Sequence, residues 1–226
     1  PEGLAAAVAG GRADLGLAFD GDGDRLIAVD DRGEVLSGDR VLAVCAQHLQ
    51  MQSRLTNNTV VSTVMSNVGL SRSLKQMGIR HLTTQVGDRY VMEALHASGA
   101  ALGGEDSGHM IFADYHTTGD GILTAMQLIA AMLKAGKPLS ELAKLMDVLP
   151  QKLINVDVRR KPEIASVPEI VAAVKQVETE LKEQGRVLIR YSGTQNMCRV
   201  MVEGPTKETT EKYCKELSEI VKKALS

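Results

Sequence analysis

Asp20, Asp22 and Asp24 alternate with glycine in "FDGDGDRLIAVDD" (residues 19–31), and Arg25 follows at once. In an extended segment, positions i, i+2 and i+4 point to one side, so the three carboxylates could meet at one point. Like charges 4 Å apart repel by about 1 kcal/mol in water and about 4 kcal/mol at intermediate dielectric. A divalent cation reverses that sign, and an all-oxygen donor set suits Mg²⁺ or Ca²⁺ rather than zinc. The D-x-D-x-D opening is shared with calcium-binding helix–loop–helix motifs, but those need glycine at the sixth position, where this chain has Arg25. Mg²⁺ is usually held by a few carboxylates together with a substrate phosphate, and Arg25 could meet a phosphate or sugar oxygen. The plainer alternative is an exposed acidic turn.

Three further stretches carry polar side chains between apolar runs. In "GGEDSGH" (103–109), Glu105, Ser107 and His109 alternate, giving an acceptor, a hydroxyl and an imidazole on a common face if the segment is extended. Sugar hydroxyls need that mixture, although a polar turn with a locally satisfied histidine reads equally well. His109 could also serve as a general acid or base. In "RYSGTQNMCR" (190–199), Arg190 and Arg199 flank Ser192, Gly193 and Thr194, the composition of an anion nest clamped by guanidinium groups. A hairpin turn with exposed arginines is the alternative, and no Walker A pattern is present. In "QVGDRYVME" (85–93), Asp88 reads as a helix N-cap, and Arg89 stands where open α/β sheets bind ligands.

Positioning these residues falls to alternating strands and helices. "LIAVDDRGEVLSG" reads as a hairpin with Gly33 at positive φ. Residues 39–52 read as a helix capped by Asp39, 59–65 as a strand, 67–78 as a helix, 79–86 as a strand and 88–99 as a helix closed by Gly99. Strand, loop and strand follow over 101–112, with helices over 119–136 and 138–146. That rhythm predicts a three-layer α/β domain with a mixed, largely parallel sheet. It changes near 147–151. From there the elements run strand, helix, strand, strand, helix, a small α+β (β-α-β-β-α) domain over 150–226. The expected division is 1–38, the tail of an α/β domain carrying the acidic loop; 39–149, an α/β domain; and 150–226. "DLGLAF" (14–19) reads as a buried strand with little before it to pair with, and the chain starts without Met, so a C-terminal fragment of a longer protein is expected.

Composition narrows the function. A net charge of −2 and 3% aromatic residues without tryptophan supply neither a basic field nor stacking platforms for nucleic acid. The longest apolar stretch, "GILTAMQLIAAML" (121–133), is too short to span a bilayer, and no targeting segment is seen. The cysteines, Cys45, Cys198 and Cys214, are odd in number and scattered, which suggests a reducing, cytoplasmic setting.

The loops "DGDGDR", "GEDSGH" and "RYSGTQNMCR", in that order, resemble the metal, sugar-recognition and phosphate-binding loops of the α-D-phosphohexomutases. "TVMSNVGL", "VGDRYVME" and "RVMVEG" resemble the glucosamine branch of that family in particular, and the likeness covers essentially the whole chain. The resemblance implies Mg²⁺ on Asp20, Asp22 and Asp24 with Arg25 beside it. It implies Glu105 and Ser107 on sugar hydroxyls, with His109 near the reacting oxygen. Arg190, Ser192, Gly193, Thr194 and Arg199 would hold the phosphate that is not transferred. The implied reaction moves phosphate between O6 and O1 of a hexose, here glucosamine 6-phosphate and glucosamine 1-phosphate, through a phosphoserine and a bisphosphate. Two departures stand out. The family loop continues Glu-Pro where this chain has Gln195 and Asn196, and the phosphoserine motif S-x-S-H-N-P is absent from these residues. The fragment alone is therefore expected to be inactive, its partners being the missing N-terminal domains and a phosphorylated hexosamine. A phosphomannomutase or phosphoglucomutase, and a non-catalytic phosphosugar-binding module, are the alternatives.

Overall fold

The computed structural model describes residues 1–193 and 195–226, the side chain of Arg12 excepted. The chain forms two compact units, Pro1–Asp147 and Val148–Ser226.

The first unit opens with helix α1 (Glu2–Ala7), which runs into a π-type turn, Val8–Arg12. Strands β1 (Gly16–Phe19) and β2 (Leu26–Val29) then pair antiparallel, with Phe19 opposite Leu26, so residues 20–25 are the end of a hairpin. β1 is not the buried strand the sequence suggested: Phe19 is 44% exposed. Among the described residues β1 has β2 as its sole strand partner; Leu4 and Val8 lie against Gly16, and Leu17 is only half-buried against the core. After β2 the chain reverses at 30–34, with Gly33 at φ 82°, and the buried Asp30 carboxylate accepts from the Arg32 and Glu34 amides.

Helix α2 (Gly38–Met51) leads to β3 (Thr59–Thr63), α3 (Val68–Gln76), β4 (Arg80–Thr84), α4 (Asp88–Ser98), β5 (Leu102–Gly104), β6 (Met110–Phe112), α5 (Gly121–Ala135) and the short α6 (Leu139–Leu142). β3 is a β-branched run with every residue buried, as a central strand requires. The sheet order is β4-β3-β5-β6, parallel except for the β5/β6 hairpin. Period two divides its faces. Val60, Leu102, Met110 and Phe112 pack with α2, α3, α5 and α6, whereas Val61 and Ile111 pack with Val91 and Leu95 of α4. Three layers result, as expected.

Caps set the helix boundaries. The Asp120 carboxylate accepts from the Leu123 amide at 2.9 Å and Gly136 ends α5 in the left-handed region. Two expected caps differ. Ser37, not Asp39, caps α2, and the fully buried Asp39 carboxylate instead accepts from the Asn67 amide at 2.6 Å, tying α2 to the start of α3. Gly87 takes the cap position of α4, and Asp88 is its first helical residue.

The second unit contains β7 (Gln151–Asp157), α7 (Pro168–Leu181), β8 (Arg186–Tyr191), β9 (Met197–Glu203) and α8 (Lys207–Leu225). Its antiparallel sheet has the order β7-β9-β8. Cys198, Val200 and Val202 of β9 face the two helices, together with Ile170, Val177, Cys214, Leu217 and Val221. Arg199 and Glu203 alternate onto the opposite face. There Arg186 grips the fully buried Glu203 carboxylate with two hydrogen bonds, at 2.9 and 3.1 Å.

Candidate functional site

The acidic hairpin is a turn, not an extended strand. Gly23 adopts φ 72°, and its amide donates to the Asp20 carbonyl at 3.2 Å. The three carboxylates therefore do not line one face of a strand: Asp22 sits at the exposed tip, while Asp20 and Asp24 flank it. The Arg25 guanidinium lies 3.8 Å from the Asp20 carboxylate, a loose and exposed contact. Asp24 turns inward, and its Oδ2 meets His109 Nδ1 at 3.0 Å. Burial opposes ionisation of Asp24, but the hydrogen bond from His109 helps outweigh it and holds this carboxyl below the usual carboxylate value.

His109 is itself buried, 4% exposed. Its Nε2 accepts from the Gly119 amide at 3.2 Å, so the ring proton belongs on Nδ1, donated to Asp24. Both ring nitrogens are thereby used. Gly119 lies so close that an added Cβ would overlap the imidazole ring.

Residues 105–108 also form a tight turn: the Gly108 amide donates to the Glu105 carbonyl at 3.0 Å, with Gly108 at φ 89°. The expected common face of Glu105, Ser107 and His109 is therefore absent. Glu105 Oε1 accepts from the Gly87 amide at 3.1 Å, Ser107 is exposed at the tip, and His109 points inside. The two loops are nevertheless joined by backbone. The Leu26 amide donates to the Gly108 carbonyl at 3.1 Å, and the Gly121 amide at the start of α5 donates to the Gly23 carbonyl at 2.9 Å. Asp106, which sequence reasoning passed over, accepts from the Gly38 amide through its carbonyl and from the Asp39 amide through its carboxylate, fixing the loop to α2. Arg89 is 80% exposed and paired with Glu93 at 2.8 Å. It lines a cavity of about 270 Å³ with His96, Thr117 and Thr118.

Among the described residues no three His, Cys, Asp or Glu side chains are gathered as a finished metal cage. The donor set still fits Mg²⁺ in kind. It offers hard carboxylate oxygens from one hairpin, one Asp24 oxygen outside its bond to His109, and an Asp20–Arg25 contact loose enough to yield.

In the second unit Arg190 and Arg199 are direct cross-strand partners. Like charges opposite each other destabilise a sheet, and both Nε groups are buried without a hydrogen-bond partner among the described residues. Burial, and then the Arg199 charge, push the Arg190 guanidinium below its ordinary pKa. Two adjacent guanidinium groups with unused donors suit a multivalent anion in charge and donor geometry. Ser192 does not offer its hydroxyl outward: it is 3% exposed, and its Oγ accepts from the Gln195 amide at 3.2 Å. Among the described residues nothing lies within 4 Å of a Cβ added at Gly193. Thr194 lies outside the described residues.

Similarity to known proteins identifies the family. Residues 37–149 match the family model for phosphoglucomutase/phosphomannomutase alpha/beta/alpha domain III, and 153–220 match that for the C-terminal domain. A phosphoglucosamine mutase of Syntrophus aciditrophicus is 62% identical over 225 residues, covering 100% of this chain and 50% of that protein. One from Listeria monocytogenes is 50% identical over 226 residues, with the same coverage. The chain thus spans about half the length of the curated relatives it matches. Among solved structures, Aspergillus fumigatus N-acetylphosphoglucosamine mutase in complex with GlcNAc-6P and magnesium aligns with a TM-score of 0.77 at 20% identity. That alignment covers 92% of this chain and 52% of the other. A phosphoglucomutase/phosphomannomutase family protein from Burkholderia thailandensis aligns with a TM-score of 0.76 at 22% identity, over 99% and 49%. With both of its units matched by successive domain models of one family, the chain belongs to the phosphoglucomutase/phosphomannomutase family.

Proposed function

We propose that this chain is the C-terminal portion of a phosphoglucosamine mutase, interconverting glucosamine 6-phosphate and glucosamine 1-phosphate through a phosphoserine enzyme and a bisphosphate. The observation that carries the phosphate reading is the Arg190–Arg199 pair, two side-by-side cations whose buried Nε donors lack partners among the described residues. The choice of sugar rests on the relatives, which are named phosphoglucosamine mutase at 62% and 50% identity. In this reading 1–38 is the tail of an upstream α/β domain, 39–149 reads the sugar and 150–226 holds phosphate. A cytoplasmic setting is supported by three free, buried cysteines. No helix among the described residues is long and apolar enough to cross a membrane.

Phosphoryl transfer is largely positioning and charge stabilisation, so the work falls on fixed polar groups. Asp20, Asp22 and Asp24 would hold Mg²⁺, which when bound neutralises charge on the transferring phosphoryl oxygens. Arg25 adds a guanidinium beside them. His109 orients Asp24 through Nδ1–H while the Gly119 amide occupies its other nitrogen, an arrangement that supports a positioning role. Glu105 has one oxygen on the Gly87 amide and the other available to a sugar hydroxyl, and Ser107 offers an exposed hydroxyl. Arg89 could approach substrate only after leaving Glu93. Arg190, Arg199, Gly193 and Thr194 would hold the phosphate that is not transferred.

Turnover by the protein joined to its upstream half, compared on glucosamine, glucose and mannose 6-phosphates, tests the assignment. Glucosamine 6-phosphate should be preferred. Equal or better rates on the glucose compound would overturn the choice of sugar. Residues 1–226 alone should bind glucosamine 6-phosphate without converting it. If the upstream half also supplies no serine donor, the non-catalytic phosphosugar-binding reading replaces the mutase.

A further inference from the structure

Lys161 lies in the segment after β7, outside every motif in the sequence. Its Nζ donates to the Ser192 carbonyl at 3.1 Å and to the Gln195 carbonyl at 2.8 Å. The Gln195 carbonyl also accepts from the Met197 amide at 2.9 Å, whereas Lys161 is the sole partner of the Ser192 carbonyl among the described residues. The ends of the turn are fixed by the Ser192 amide on the Met197 carbonyl at 2.9 Å and the Val158 amide on the Asn196 carbonyl at 3.0 Å. Inside, the Gln195 amide reaches Ser192 Oγ, and no described residue lies within 4 Å of a Cβ added at Gly193.

The two carbonyls determine where two amides point. Among the described residues there are no cis peptide bonds, and in a trans peptide the C=O and N–H of one unit face opposite ways. Holding the Ser192 and Gln195 carbonyls on one ammonium therefore aims the Gly193 and Asn196 N–H groups away from it. Neither amide has a hydrogen-bond partner among the described residues. Two amides without partners at one turn can each donate to a bound anion.

We propose that Lys161 is a positioning residue of the phosphate site, gripping the 192–195 turn so that the Gly193 and Asn196 amides face the anion. This rests on reading residues 190–199 as that site. Lys161 touches no phosphate in this arrangement. It removes the ordering that an ungripped turn would undergo on binding.

The test titrates inorganic phosphate into the 226-residue chain while following the Gly193 and Asn196 amide resonances. Lys161→Met keeps the length of the side chain without its donors, and should weaken phosphate about tenfold. Lys161→Arg keeps donors and charge, and should stay within about threefold of the native chain. Lys161 is exposed, so both variants should unfold within about 2 °C of the native chain. Before any phosphate is added, the two amides should exchange faster in Lys161→Met. The loss of affinity should persist at about 0.5 M NaCl, where a through-space charge effect is screened. Native affinity in Lys161→Met overturns the proposal. If Arg190→Gln abolishes binding in the same series, the phosphate site then stands without Lys161. A loss that disappears at high salt also overturns the grip. Absence of any phosphate response in the native chain at Gly193 and Asn196, with Arg190→Gln indistinguishable from it, overturns the phosphate reading together with the proposal.

Discussion

Gly108→Ala should loosen the junction between the acidic hairpin and the 105–109 turn. Gly108 has φ 89°, in the region where a side chain costs about 1–2 kcal/mol. An added Cβ would also overlap the Leu26 carbonyl oxygen, well under the 3.0 Å limit of real Cβ contacts, and that oxygen belongs to backbone that cannot swing aside. Relieving the overlap pulls β2 from the turn and strains the Leu26 amide to Gly108 carbonyl bond, now 3.1 Å, which contributes about 1 kcal/mol. The stiffer unfolded chain returns about 0.4–1 kcal/mol. With relief of the overlap included, the net loss should be about 2–3 kcal/mol, or about 5–10 °C in the unfolding midpoint of the first unit. Thermal and urea unfolding by circular dichroism measure it. The His109 Nδ1 proton, followed by NMR, should broaden or disappear as its bond to Asp24 is lost. Gly21→Ala is the control, since nothing lies within 4 Å of its added methyl. A Gly108→Ala protein within about 0.5 kcal/mol of the native one, with the His109 resonance unchanged, would refute the reasoning.

Two further outcomes are expected. Arg186→Met removes the ion pair to the fully buried Glu203 carboxylate and should destabilise the second unit by about 3 kcal/mol, with Arg186→Met/Glu203→Gln recovering part of that in urea unfolding. Asp31 is opposed by burial, but its bonds from the Ser140 amide and hydroxyl, both 2.9 Å, hold its carboxyl below the ordinary value. A depressed folded pKa contributes stability that is present above the unfolded value of about 3.9 and lost as pH falls through the folded value. Carbon-13 carboxyl titration should find Asp31 below 3.9, and Asp31→Asn should flatten the acid limb of the stability curve.

Regular elements were legible because their signals are local. The β-branched run at 59–63 and the Asp120 and Gly136 punctuation of α5 needed only neighbours in sequence. The β-α-β-β-α order of the second unit was legible for the same reason. The chemistry-bearing residue types were also visible, but their geometry was not. Alternation places side chains on one face only in an extended chain, and Gly23 and Gly108 adopt positive φ and turn 20–24 and 105–109. The partners that then matter are remote. His109 meets Asp24 across 85 residues, and Lys161 reaches Gln195 across 34. No periodicity encodes such pairs. Asp39 is the inverse case: its helix-start residue type suggested a cap, but tertiary burial gave its carboxylate to Asn67.

The amide of Gly121 on the carbonyl of Gly23 makes the first turn of α5 a buttress for the acidic hairpin. Helix N-termini carry partial positive charge, which favours nearby carboxylates. The hairpin is therefore steadied on one side by a helix start and on the other by an imidazole, from segments far along the chain. "DGDGDR" is consequently not a portable cassette. Grafted onto another β-ribbon without α5 and the 105–109 turn, it would bring its repulsion and leave its counterweights behind.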